Sequence, residues 1–157
     1  MKNEFSIRLA LPKNAVEIAA IIKRHSETDY MGYVTFTDKY VKEKMKKNNF
    51  YIIATTKTQN EDKIIGCIRA SIVDIDLAEI RNVCVDKEYQ GKGIASALMK
   101  EALDLLKKKK MRKVAIRCKA DNKASMALFT KFGFEKEGYF KEHYRKGIDI
   151  VQYGKFL

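Results

Sequence analysis

The hydrophobic pattern of the chain changes period around residues 79–106. An apolar run from Ile80 to Val85, with Arg81 and Asn82 inside it, reads as a strand closed by the polar group Asp86-Lys87-Glu88. Gln90-Gly91-Lys92-Gly93-Ile94-Ala95 follows, and Ile94, Leu98, Met99, Ala102, Leu103 and Leu106 then recur at the spacing of one helix face. The unit is strand, glycine turn, helix. A helix start exposes unpaired N–H groups and the positive end of a dipole, so a phosphate is its natural occupant.

The flanking pattern supplies the other elements. Phe5 to Leu11 alternates loosely and predicts a first strand; Pro12 breaks it, and Asn14 is placed to cap a helix carrying Ala15, Ile18, Ala19 and Ile22, to about Arg24. The stretch from His25 to Thr37 reads as a loop with Glu27, Asp29, Tyr30, Tyr33 and Phe36, equally suited to lining a pocket or plugging the core. A lysine-rich helix is expected over Asp38 to Lys47. Phe50–Ala54 and Lys63–Val73 read as a hairpin around Gln59-Asn60-Glu61-Asp62, and Asp74-Ile75-Asp76 turns the chain into the strand that holds Glu79. Beyond the glycine-turn helix, Lys113–Cys118 is a short strand, and Asp121 and Asn122 cap a helix to Phe132 that Gly133 ends. Gly138 to Leu157 reads as two strands around Lys146-Gly147. The order β-α-α-β-β-β-α-β-α-β-β predicts an α/β layered fold: a mostly antiparallel sheet of about seven strands with about four helices, in one domain over 1–157.

Composition narrows the classes. A chain of 157 residues with 46% hydrophobic residues can fill a single core. No stretch reaches the roughly 20 apolar residues needed to cross a bilayer, and MKNEFSIRL has no apolar signal core, so the expectation is a cytoplasmic protein without a membrane partner. Cys67, Cys84 and Cys118 all lie in apolar strand-like runs and read as buried free thiols, with no metal spacing. The net charge of +12 raises nucleic acid as a partner, yet the lysines spread over every helix. The densest run, Lys107–Lys110, suits a helix C-terminus. No nucleic-acid partner is expected; the basic surface also suits a polyanionic small ligand.

The glycine turn is not GxGxxG, since Ser96 stands where the third glycine would be, and no GK[ST] follows. Gln90, Gly93 and Ala95 match Q/R-x-x-G-x-G/A instead. With the Glu79 strand before it and Asn122–Phe134 after it, this motif resembles the signature of the GNAT N-acetyltransferase superfamily across residues 79–134. The resemblance implies acetyl-CoA as cofactor. Its pyrophosphate would lie among Gln90, Gly91, Lys92, Gly93, Ile94 and Ala95, and its pantetheine arm along the main chain of Val83, Cys84 and Val85. Asn122 resembles the asparagine that contacts the cofactor near the pantetheine, and it also suits a plain N-cap. The segment NKASMALFTKFGF follows N-x-x-A-x-x-L-Y-x-K-x-G-F with two departures: Ser125 for alanine, and Phe129 for the tyrosine that commonly protonates the leaving thiolate.

Acetyl transfer to an amine needs a neutral nucleophile and a way to release a thiolate. Presenting an amine of pKa about 10.4 neutral at pH 7 costs about 4.6 kcal/mol, against about 2 kcal/mol for a thiolate of pKa about 8.5. A base therefore matters more than an acid. Glu79 lies eleven residues before Gln90, the spacing of the strand glutamate that is general base in the superfamily's histone acetyltransferases. Its alternative is a solvated strand-end residue in an acidic turn with Asp74 and Asp76. Phenylalanine at 129 cannot donate a proton; Tyr139, His143, Tyr144 and Tyr153 are the available substitutes, with Tyr144 first because it falls near the expected hairpin turn.

These readings converge on an acetyl-CoA-dependent N-acetyltransferase. Its acceptor would be a primary amine: a small molecule, an amino acid or a protein N-terminus. Acidic Glu27, Asp29, Asp74, Asp76 and Glu79 are placed to greet a cationic amine. The alternative is an acyl-CoA-binding regulatory domain without turnover, which Phe129 favours. An edge strand in the C-terminal hairpin leaves room for a homodimer.

Overall fold

A computed structural model describes residues 4–25 and 36–157 of the chain. Glu27, Asp29, Tyr30 and Tyr33 lie outside the described residues. The elements are β1 (Ser6–Leu9), α1 (Ala15–His25), α2 (Asp38–Met45), β2 (Asn49–Lys57), β3 (Asp62–Ile72) and β4 (Leu77–Val85). They continue with α3 (Ile94–Lys108), β5 (Lys113–Lys119), α4 (Lys123–Lys131), β6 (Glu135–Arg145) and β7 (Ile148–Phe156). The seven strands form one sheet in the order β1-β2-β3-β4-β5-β7-β6. Only the β4–β5 pair is parallel; the other five pairs are antiparallel. The expected element order, layered class and mixed sheet are those observed, and β6, in the C-terminal hairpin, is an edge strand.

Strand alternation sends side chains to two cores. On one face Ile52 and Ala54 of β2, Ile65, Ile68 and Ala70 of β3 and Ala78 and Ile80 of β4 pack against α3 through Leu98, Met99, Ala102 and Leu106. On the other, Tyr51 and Ile53 of β2, Cys67 of β3 and Cys84 of β4 pack against Ile18, Ile21 and Ile22 of α1 and Val41 of α2. Gly66 lets the sheet and α3 approach closely: a Cβ there would lie 3.1 Å from the Cys84 carbonyl oxygen and 3.2 Å from Ile94 and Leu98. The lysine run does end a helix, since α3 stops at Lys108 and Lys109 caps it.

Three local expectations change. Asn14 does not cap α1 from outside; it ends a 3-10 turn, Pro12–Asn14, that runs into α1. Its buried Oδ1 accepts from the Leu11 N–H at 3.0 Å and from Arg8 at 3.2 Å, tying β1 to the helix start. The cap of α2 is Thr37, whose hydroxyl accepts from the Tyr40 N–H, and α2 ends at Met45 rather than Lys47. The turn is Asp74–Asp76 as expected, and the strand read from Ile80 already begins at Leu77.

Candidate active site

The site begins where β4 and β5 separate. Their pairing runs from Leu77/Lys113 to Ile80/Ile116 and stops, although both strands continue. β5 stays with β7 as far as Lys119, and β4 stays with β3 as far as Val85. The cause lies in β4. Between the pairs Arg69/Arg81 and Cys67/Cys84, Asn82 and Val83 oppose Ile68 alone, a bulge that bends the strand. Asn82 carries the bend at φ 54°, a conformation asparagine tolerates better than most residues. The Cys67 thiol donates to its carbonyl at 3.7 Å. The β5-facing edge of β4 therefore presents unpaired main chain beyond Ile80.

A cavity of about 230 Å³ occupies this split. Glu79, Val83, Cys84, Val85, Gln90, Asn122, Ser125, Phe129 and Tyr144 all line it, so nine residues named from sequence meet at one place. Gly91, Lys92, Gly93, Ile94 and Ala95 do not line it; they form the turn into α3 that follows the end of β4.

The start of α3 is open. Gly93 is its N-cap at φ 81°, with no side chain capping the first-turn N–H groups and nothing within 4 Å of where a Cβ would stand. Gln90 turns inward, its Nε2 donating to the Val85 carbonyl at 3.0 Å, so its side chain braces the loop against β4. Lys92 lies over the Tyr89 ring at 5.4 Å. Lys131 of α4 donates to the Ser96 hydroxyl at 3.0 Å, bringing a cation to the positive end of α3. A cation and the positive end of a helix dipole together favour an anion at this place. Lys131 stands at the lysine of the N-x-x-A-x-x-L-Y-x-K-x-G-F pattern, and the packing of α4 beside α3 brings that position to the helix start.

Glu79 projects into the cavity beside Arg81, two residues on along the same face of β4. Both Arg81 bonds fall on Glu79 Oε2, that from Nε at 2.8 Å, which leaves Oε1 for another donor. Asp74 and Asp76 are not part of this site. Asp74 accepts from the Ile75 N–H at 2.8 Å, and Asp76 is paired with Arg112 at 2.9 Å, so they do not greet an amine there.

Asn122 caps α4, its Oδ1 accepting from the Ser125 N–H at 3.0 Å, and it faces the cavity as well. Phe129 is buried, with its ring edge-to-face against Tyr153 at 5.5 Å. Of the four substitutes for a tyrosine at 129, Tyr144 alone lines the cavity. Tyr139 binds Asp149 on the exposed hairpin, and His143 stacks between Phe140 and Tyr144. The Tyr144 hydroxyl accepts from Arg117 Nη1 at 2.7 Å, and because a guanidinium only donates, its own O–H is directed elsewhere.

Two thiols in or beside the cavity are held protonated. Burial, with Asp121 adding to it, pushes Cys118 up to about 11. Cys67 is raised by its hydrogen bond with Cys84 and then by burial. Neither is an activated nucleophile at neutral pH.

A parallel strand pair that splits, followed by a glycine-turn helix start, is the frame of this α/β protein's site. The chain belongs to the acetyltransferase (GNAT) family, which it matches over residues 16–134. It is 30% identical to N-alpha-acetyltransferase 30 of Schizosaccharomyces pombe over 74 residues, which cover 47% of this chain and only about half, 49%, of that protein. It is 27% identical over 134 residues to the uncharacterized N-acetyltransferase YhbS of Escherichia coli K12, covering 82% of this chain and 72% of that one. The fold is shared with yncA of Salmonella typhimurium, solved with its cofactor acetyl-CoA: the TM-score is 0.83 at 15% identity, over 99% of this chain and 95% of that chain.

Proposed function

We propose that this protein is an N-acetyltransferase that moves the acetyl group of acetyl-CoA to a primary amine by direct attack. The observation that carries the reading is the coincidence of three features at one split: unpaired β4 main chain, an uncapped glycine-turn helix start at its mouth, and Glu79 and Tyr144 on its walls. Bound acetyl-CoA would supply a thioester whose C–S bond breaks as the amine nitrogen bonds to the carbonyl carbon. The residues of this chain do the rest. The N–H groups at the start of α3, with Lys131 and Lys92, hold the phosphates. The edge of β4 at Val83–Val85 aligns the arm, and Asn122 and Ser125 of the α4 start flank it. Phe129 gives the arm an apolar wall.

Glu79 Oε1 takes the proton the amine loses, directly or through water, while Arg81 fixes the carboxylate through Oε2. Tyr144 gives its O–H proton to the departing thiolate sulfur, with Arg117 keeping the phenol oxygen in place. The protonated state of Cys67 and Cys118 argues against a route through an acetylated thiol at either of these two positions. An acyl-CoA-binding protein without turnover is the second reading, favoured by Phe129 in place of a proton donor.

The test is thermal unfolding with acetyl-CoA, with ATP and NAD as controls, followed by amine-dependent thiol release. Ligand at 100 times its Kd stabilises by about 2.7 kcal/mol, a shift of about 5–10 °C for a chain of this size. A shift with acetyl-CoA and amine-dependent thiol release are expected. A shift without release from any amine selects the second reading, and no shift defeats both.

A further inference from the structure

Arg69 on β3 is buried, 4% exposed, on the wall of the same cavity. Its Nη1 donates to the Tyr51 hydroxyl at 3.4 Å and its guanidinium sits 5.9 Å from the Tyr51 ring centroid, but its Nε has no hydrogen-bond partner. Among the described residues no carboxylate forms an ion pair with it. Tyr51 and Tyr40 hold the charged form of Arg69 against the cost of burial, but neither is a carboxylate.

The surrounding charges do not relieve it. Arg81 is its direct partner across the β3–β4 ladder, and Arg81 occupies the Glu79 carboxylate. Arg117 of β5 lines the same cavity and bonds Gln152 at 2.7 Å and Tyr144 at 2.7 Å, both neutral. Among the described residues Arg69, Arg81 and Arg117 thus face one carboxylate, Glu79, so this wall repels a plain cation and attracts an anion. The cavity holds a second orphan of the opposite kind. Asn82 Oδ1, at the bulge, is buried without a hydrogen-bond partner and can only accept.

We propose that the acceptor is a small primary amine bearing its own carboxylate, an amino acid or close analogue. The carboxylate binds Arg69, and an amine N–H points to Asn82 Oδ1. The inference rests on the acetyltransferase reading above and narrows its acceptor. Arg69 is a specificity residue here: the carboxylate is bound and left unchanged, while the amine loses its proton to the base as the N–C bond forms.

Matched pairs test it. Thiol release is measured at saturating acetyl-CoA for L-amino acids and for the same amino acids as α-carboxamides, with thermal stabilisation by acetyl-CoA recorded for every chain. The acid is expected to exceed its amide in kcat/KM by at least about tenfold for one or more side chains. In Arg69→Met the preference should vanish through a rise in KM, with acetyl-CoA stabilisation unchanged, and Arg69→Lys should keep part of it. Replacing a buried charge by an apolar side chain of similar size is commonly tolerated, so Arg69→Met is expected to fold. Equal rates for acid and amide, a preference for the amide, or an acid preference that survives Arg69→Met overturns the inference. So does thiol release confined to amines without a carboxylate. Absence of acetyl-CoA stabilisation in the parent chain would instead overturn the cofactor reading, and the inference with it.

Discussion

The two halves of the site are built from different materials. The proposed cofactor end is mostly backbone: the unpaired edge of β4, the helix start at Gly93 and the capped start of α4. The proposed acceptor end is made of long side chains, Arg69, Arg81, Arg117 and Glu79, contributed by three strands. Backbone sites need little more than glycines and caps at set intervals, so their identity survives in a local motif. Side-chain sites depend on which strands lie side by side and on which face each residue points to. The same pocket is thus local in one half and assembled in the other.

The largest effect expected is on the chemistry between these halves. Glu79→Gln should lower kcat by about 10²-fold or more, the lower end of what a positioned base contributes, without changing stabilisation by acetyl-CoA. An unchanged kcat at saturating substrates and neutral pH would remove Glu79 as the base. Next comes the backbone half. Gly93→Val places a β-branched residue at φ 81° and a side chain over the helix start. It should weaken acetyl-CoA at least about tenfold, since only ~1.4 kcal/mol of lost contact is needed. Acetyl-CoA titrations that match the parent chain would mean that the phosphates lie elsewhere.

Tyr144→Phe is expected to lower kcat by about tenfold, less than the full ~2 kcal/mol of thiolate protonation, with KM for both substrates held. Phe129→Tyr sharpens this result. If Tyr144 supplies the proton, a hydroxyl at 129 leaves kcat as it was; a rise in kcat would show that the site lacked a donor. Asn122→Ala separates capping from contact: loss of the cap costs about 1 kcal/mol, or about 2–4 °C in Tm. A drop in acetyl-CoA affinity beyond that accompanying loss would assign the side chain to the cofactor as well. The smallest effect belongs to Cys118→Ser, which should leave kcat near the parent value, because a thiol pushed up to about 11 is not a nucleophile at pH 7. Loss of turnover there would reopen a covalent route.

Legibility followed the same division. The strand, glycine turn and helix over residues 79–106 were readable because a change of hydrophobic period and two glycines are local facts. The element order followed from the same rule applied along the chain. Boundaries were less legible. Asn14 looked like a helix cap, but its side chain serves the residue three positions before it, and that choice depends on where β1 lies. No role at the site was read from sequence for Arg69 or Arg117, and Lys131 entered only as the lysine of the α4 pattern. Their surroundings come from neighbours 18 to 35 positions away, as in Arg69–Tyr51, Arg117–Tyr144 and Lys131–Ser96.

By itself, then, the sequence determined the layered fold, the glycine-turn helix start and the main-chain strand beside it, because hydrophobic period, turn chemistry and capping act over a few residues. Tertiary structure alone decided that β4 parts from β5 after Ile80, that Gln90 turns inward to Val85, and that, among the described residues, three arginines face one glutamate across the split. Those outcomes depend on strand register and on a bulge at Asn82, which convert residues far apart in the chain into neighbours around one cavity.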